Sequence, residues 1–217
     1  KMDQKKVLSA LKEAREQSKK RNFKQRFDLI FNLKGIDIKK TEHQVDVFVS
    51  LNHDLGTKIK TCGLVGPELL EEAKANCDMF ILVDDFGKYA DKKKARKLAE
   101  DYDYFIAQAN IMTKIAASFG RIFGVRGKMP NPKSGAVVPP KTNLKPVVEK
   151  LGRTVRLNGK MQPLIQVGVG AEDMKDEDIA ANIMTIYDAL IHHLPAEKNN
   201  IKSAFVKLTM GKSVRLE

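Results

Sequence analysis

Apolar positions along the chain follow different periods in different stretches, and each period predicts a different element. Val7, Leu8, Leu11 and Ala14 recur at helical spacing while Lys, Glu and Arg fill the other faces, which predicts a helix over residues 3–20, ended by Arg21-Asn22-Phe23. Phe27–Leu33 then reads as a strand. Val45, Val47, Val49 and Leu51 alternate with Asp46, Phe48 and Ser50, a second strand with one face only partly polar. From Thr57 the pattern changes. Ile59–Leu64 reads as a strand and Pro67–Asn76 as a helix with Pro in its first turn. Met79–Val83 is a continuous apolar run, the kind expected of a parallel strand buried on both faces. Lys92–Tyr102 is helical, Tyr104–Ala107 a strand, Ile111–Phe119 a helix and Asn143–Leu151 a short closing helix. Between the last two, Gly120–Pro140 is rich in Gly, Pro and basic residues and reads as one long loop.

After residue 154 the first pattern returns. Val155–Leu157 and Leu164–Val169 predict a hairpin around Asn158-Gly159. Asp176–His193 is an amphipathic helix with Ile179, Ile183, Ile186, Tyr187 and Leu190 on one face. Asp176, Glu177 and Asp178 occupy its first turn, where the helix dipole favours them. Ile201–Leu208 is a strand and Val214–Leu216 a short last one. Neither outer piece has enough strands for a stable sheet alone. The expected architecture is therefore mixed α/β and α+β. A discontinuous two-layer antiparallel α+β domain takes residues 1–56 and 155–217. A Rossmann-like parallel α/β domain, 57–154, is inserted through two adjacent crossings that would act as a hinge.

Composition narrows the function. The chain has 217 residues, 42% hydrophobic and 30% charged, an ordinary globular balance. No apolar run approaches the roughly 18 residues of a membrane span, and the charged start lacks a signal-peptide core, so membrane and conventionally secreted classes are disfavoured. Cys62 and Cys77 have no zinc-type spacing. Two reduced thiols, at least one of them buried, is the favoured reading, with a disulfide left open. The formal net charge is +12, and it is unevenly spread: residues 1–40 carry +8 and residues 114–153 another +8, while the remainder carries −4. Two separate basic segments point to a polyanion with an extended footprint, since neutralised phosphates release counterions.

Enzyme signatures fail. Gly127-Lys128 and Gly211-Lys212-Ser213 each lack the first Gly of a phosphate loop, and Gly168-Val169-Gly170 meets Asp173 where a dinucleotide fingerprint needs Gly. Asp84-Asp85, after the Met79–Val83 run, is the one enzyme-like pair. It lies where open α/β sheets bind ligands and could hold magnesium, although helix capping explains it more simply. The positive signals are two. Arg126-Gly127-Lys128-Met129-Pro130-Asn131-Pro132 reads as a stiff cationic loop, with Gly124 and Gly127 allowing close backbone approach. Thr209-Met210-Gly211 ends a strand and offers a hydroxyl, a thioether and a glycine, a set suited to a ribose 2′-OH and a nearby backbone.

These two motifs, with Asn22-Phe23 before the first strand and Lys202-Ser203-Ala204 leading to Leu208-Thr209-Met210-Gly211, resemble the ribosomal protein L-one family, the stalk protein of the large subunit, in its archaeal form. The likeness runs in order over nearly the whole chain. It implies a structural, non-enzymatic protein without cofactor or metal. It implies binding to a junction of large-subunit ribosomal RNA to form a mobile stalk, help in releasing exit-site tRNA, and translational repression through the protein's own mRNA. It further implies the rest of the ribosome as partner, no membrane, and a monomer when free. The positions matching the family's main RNA contact are Phe23, Arg26, Asp28, Ser203, Thr209, Met210 and Gly211. Asp28 stands where relatives commonly carry Glu, and Arg26 where a small hydroxyl residue is common. Arg126, Gly127 and Lys128 match a secondary contact of the inserted domain. The competing reading is a magnesium-dependent enzyme using Asp84 and Asp85.

Overall fold

The computed structural model describes residues 2–89 and 91–216. In chain order the longer elements are α1 (Gln4–Glu16), β1 (Arg26–Leu33), β2 (Asp46–Ser50), β3 (Thr61–Val65), α2 (Leu70–Asn76), β4 (Met79–Leu82), α3 (Lys92–Asp101), β5 (Tyr104–Gln108), α4 (Met112–Val125), β6 (Val137–Val138), α5 (Lys145–Gly152), β7 (Thr154–Asn158), β8 (Leu164–Ala171), α6 (Asp176–His193), β9 (Ile201–Leu208) and β10 (Val214–Arg215). The chain divides into two compact units, Lys1–Thr57 with Arg153–Glu217, and Lys58–Gly152.

In the first unit an antiparallel sheet runs β10-β9-β1-β8. Strict alternation in β1 sends Phe27, Leu29, Phe31 and Leu33 to one face, all buried. There they join Val7, Leu11 and Ala14 of α1 and Ile179, Ile183, Ile186 and Leu190 of α6 in one core. Arg26, Asp28, Ile30 and Asn32 take the other face, partly or fully accessible. Opposite β1, the Gly168-Val169-Gly170 run that failed as a nucleotide fingerprint makes a bulge: Phe27 faces Gly170 and Asp28 faces Gly168. A Cβ at Gly170 would lie 3.0 Å from Ile179, so that glycine lets α6 sit against the sheet.

The predicted β7–β8 hairpin does not form. β7 pairs with β2 in a separate two-stranded ribbon, from Asp46 opposite Asn158 to Ser50 opposite Thr154, while β8 pairs with β1. A local turn signal predicted a neighbour that long-range pairing replaced. α1 is also shorter than its charge pattern suggested, ending at Glu16.

The second unit is a parallel sheet in the order β4-β3-β5-β6, covered on both faces. α3 and α4 bury Leu98, Ile115, Phe119 and Phe123 on one side, with Leu64 and Phe105. α2 and α5 bury Ala73 and Leu151 on the other, with Val65 and Ile106. The apolar run expected to be the strand buried on both faces is instead an edge strand, with Met79, Phe80 and Leu82 only partly buried. The fully buried strand is β3, Thr61-Cys62-Gly63-Leu64-Val65. Nor is Gly120–Pro140 one loop. α4 continues through Gly120 and Gly124 to Val125, and Val137–Val138 joins the sheet. Both cysteines are free, and burial pushes the thiol of Cys77 up to about 11.

Candidate nucleic-acid interface

Thr209-Met210-Gly211 follows β9 directly and lies beside the start of β1. The Arg26 N–H donates to the Thr209 hydroxyl (3.0 Å), and the Thr209 N–H donates to the Arg26 carbonyl (3.0 Å). The hydroxyl also donates to that carbonyl at 3.3 Å. Thr209 is thus a clasp between two strand ends, with one acceptor site left for an outside donor. Gly211 closes a tight turn, its N–H on the Leu208 carbonyl at 2.9 Å, and a Cβ there would come within 3.2 Å of Leu208 Cβ. Its small size therefore serves the turn as well as any ligand.

Gln25 organises this end, and nothing in the sequence marked it. Its side chain is 2% exposed. Its Oε1 accepts from the Met210 N–H (3.1 Å), its Nε2 donates to Ser18 (3.3 Å), and its carbonyl accepts from the Glu172 N–H (2.9 Å). The buried side-chain amide thus joins the stretch after α1 to the turn after β9, and the main-chain carbonyl of the same residue adds the loop after β8. Arg15 ties the same loop from the helix side. It donates to the carbonyls of Glu172 and Met174 and to Asp176 (2.8 Å), with its guanidinium 4.9 Å from the Phe27 ring centroid. Two large apolar side chains stand exposed on this frame, Phe23 at 50% and Met210 at 58%. Two cations follow Phe23 in the chain: Lys24, paired with Asp173 at 2.6 Å, and Arg26, whose guanidinium donates to Thr57 at 3.2 Å.

The accessible sheet face continues the site. Asp28 lies opposite Lys207, Ile30 opposite Phe205 and Asn32 opposite Ser203. Asp28, Ile30, Gln166, Val167, Gly168 and Lys207 line a shallow hollow of ≈ 240 Å³. Half-burial raises the carboxyl of Asp28 above its ordinary range, against the opposing pull of Lys207 and Arg26. The Ser203 hydroxyl accepts from the Asn32 amide at 2.9 Å. Ser203 lies on β9 and Thr209 just past its end, six residues on and about 20 Å away at the usual rise. The predicted residues of this unit therefore form a track rather than a pocket. Phe23, Arg26, Thr209, Met210 and Gly211 gather at one end, Asp28 comes next, and Ser203 lies far along. Lys207, Phe205 and Asn32 complete the track. The alternation of β9 puts Lys207 and Phe205 on the face of Ser203, a signal legible in the sequence.

The cationic loop of the other unit is arranged differently from its expectation. Gly124 is helical, with nothing within 4 Å of where its Cβ would lie, and only Gly127 takes a left-handed φ of 66°. Arg126 pairs with Glu100 of α3 at 2.8 Å, and Lys128 donates to the Tyr102 carbonyl at 2.5 Å. Both cations are turned onto their own unit, because the helix extension carries Arg126 to the end of α3.

Asp84 and Asp85 lie in a short helical turn, Val83–Tyr89, with Asp85 paired to Lys88 at 2.6 Å. At the carboxyl ends of β3 and β5 the buried Gln108 accepts from the Gly66 N–H (2.8 Å) and donates to Glu68 (3.0 Å). The protein's own amide thus occupies part of the crevice where open α/β sheets bind ligands.

The sequence model of the ribosomal protein L1p/L10e family matches residues 11–212. Among curated proteins, the chain is 43% identical over 213 residues to the large ribosomal subunit protein uL1 of Nanoarchaeum equitans, covering 96% of this chain and 98% of that one. It is 42% identical to the Methanobrevibacter smithii protein of the same name, covering 97% and 98%. With that of Pyrococcus horikoshii it shares 40% identity, covering 99% and 97%.

Proposed function

Because the chain belongs to the ribosomal protein L1p/L10e family, and so is a non-enzymatic structural protein of the large ribosomal subunit, we propose that it binds large-subunit ribosomal RNA along the track from Phe23 and Met210 to Ser203. The observation that carries this reading is the exposure of Phe23 and Met210 on a frame locked by Gln25. An aromatic ring and a thioether left in water lower no free energy in the isolated protein. They suit the face of an unstacked base or sugar, with Arg26 and Lys207 near enough in the fold to meet phosphates. Asp28 can accept from a ribose 2′-OH, a contact that distinguishes RNA from DNA. The stalk formed on that RNA assists release of exit-site tRNA, and a similar structure in the protein's own mRNA competes for the same track and represses translation. These last two activities rest on the family resemblance.

The test is Phe23→Ala with Met210→Ala, titrated against a junction fragment of large-subunit ribosomal RNA. Both side chains are exposed, so the melting temperature should hold. Affinity should fall by about tenfold or more, since stacked bases contribute about 1–3 kcal/mol each. If about five to eight phosphates are contacted, wild-type affinity should drop by about a hundredfold or more between ~50 and ~200 mM salt. Unchanged affinity in the double variant, or equal binding of duplex DNA, rejects the reading. Thr209→Val and Gly211→Val are poorer probes, because both disturb the strand-end clasp and turn.

A further inference from the structure

Lys92, Lys93, Lys94, Arg96 and Lys97 place five cations in the first six positions of α3. All five are exposed, while Ala95, Leu98 and Ala99 face the core. Among the described residues none of these five side chains has an ion pair or a hydrogen bond. Their placement works against the helix. The cations crowd its amino end and Glu100 and Asp101 its carboxyl end, the reverse of what the macrodipole favours. Lys92 with Arg96, and Lys93 with Lys97, are like charges four residues apart, a repulsive spacing. Asp91 at the cap, accepting from the Lys93 N–H at 3.0 Å, is the local offset. Of the two acids at the far end, Glu100 is taken by Arg126.

We propose that the solvent face of α3 is a second phosphodiester-binding surface, through which the inserted unit holds the backbone of an RNA strand. The loop that the sequence nominated for this unit spends Arg126 and Lys128 on internal partners, whereas the helix concentrates five cations without partners among the described residues. Polyanion binding relieves the repulsion that the free helix carries. A nucleic-acid backbone suits this face better than a membrane does. The exposed large apolar side chains among the described residues are Phe23, Val125, Met161 and Met210, none of them on α3, so a bilayer would gain nothing here beyond charge. Four flexible lysines and one arginine supply contacts that read no base sequence.

The experiment uses the full chain with Phe23→Ala and Met210→Ala already in place, so that failure of this surface and failure of the sheet track are read separately. Into it go Lys92→Gln, Lys93→Gln, Arg96→Gln and Lys97→Gln. The probe is a single-stranded polyuridylate of about 20 nucleotides, with anionic phosphatidylserine vesicles and polyaspartate in parallel arms. Removing about three or four phosphate contacts should weaken polyuridylate binding by about tenfold or more at ~100 mM salt and lower the log–log salt slope by about 2–3. The melting temperature should hold or rise, because the neutralised residues opposed the dipole. Replacing the three lysines by Arg instead should preserve binding. An unchanged slope, or a tighter grip of that parent double variant on vesicles or polyaspartate than on polyuridylate, overturns the proposal.

Discussion

Asp28 shows how one side chain can be poor for stability and useful for binding. Burial raises its carboxyl against the lowering pull of Lys207 and Arg26, so folding disfavours its charged form relative to the unfolded chain. An acid with a raised pKa contributes most at low pH and loses that contribution as pH climbs through the ordinary carboxylate value of 3.8. Asp28→Asn keeps the shape and removes the buried charge, so its melting temperature at neutral pH should equal or exceed that of the parent. If the carboxylate accepts from a ribose hydroxyl, RNA affinity should nevertheless fall by about tenfold, the range of a hydrogen bond to a charged group. Tighter RNA binding by the variant would mean that the charge merely repels phosphate, and would remove Asp28 from the contact set. Gln25 is the complementary case: it touches no proposed ligand atom, yet its amide fixes the Met210 backbone.

The β2–β7 ribbon poses a stability question at the level of the element, since two strands alone are marginal. Its end is pinned by Asp46, which pairs with Arg156 and with Lys160, each at 2.7 Å. The Arg156 hydrogen bond is the largest cause holding this carboxyl down, at about 2. A depressed acid stabilises above its unfolded value of 3.8 and loses that stabilisation as pH falls toward about 2. Thermal melts at about pH 5 and about pH 2.5 should therefore show a larger drop for the parent than for Asp46→Asn. Equal drops would show that the pair adds nothing to the fold.

At the scale of the molecule, the two units have separate core residues and separate elements, one cluster in the first and one on each sheet face of the second. The chain leaves the first unit after Thr57 and returns at Arg153. Leu51 donates to the Arg153 carbonyl (2.8 Å) and Arg153 to Asp54 (2.7 Å), so the two passages are tied within the first unit. A chain joining residues 1–57 to 153–217 by a short linker should fold cooperatively and keep most affinity for the junction RNA. Residues 58–152 alone should fold and bind more weakly. Circular dichroism and filter binding check both, and stronger RNA binding by the isolated second unit would reverse the assignment of the main contact.

Periodicity alone determined most elements, because alternation and helical spacing report directly which side chains leave water. Asp176–His193 and Ile201–Leu208 were legible to the residue. The Thr209-Met210-Gly211 and Arg126–Pro132 motifs were legible as chemistry. Which strands pair was not, since pairing depends on residues far apart in sequence. Only the tertiary structure gave β7 to β2, sent β4 to an edge and buried β3. The direction of charge was equally invisible. Arg126 and Lys128 look free in the sequence and are bound in the fold, while the α3 cations look like an ordinary solvated run and are left without partners among the described residues. A charge's availability depends on what the fold brings within about 4 Å of it, and a sequence records only neighbours along the chain.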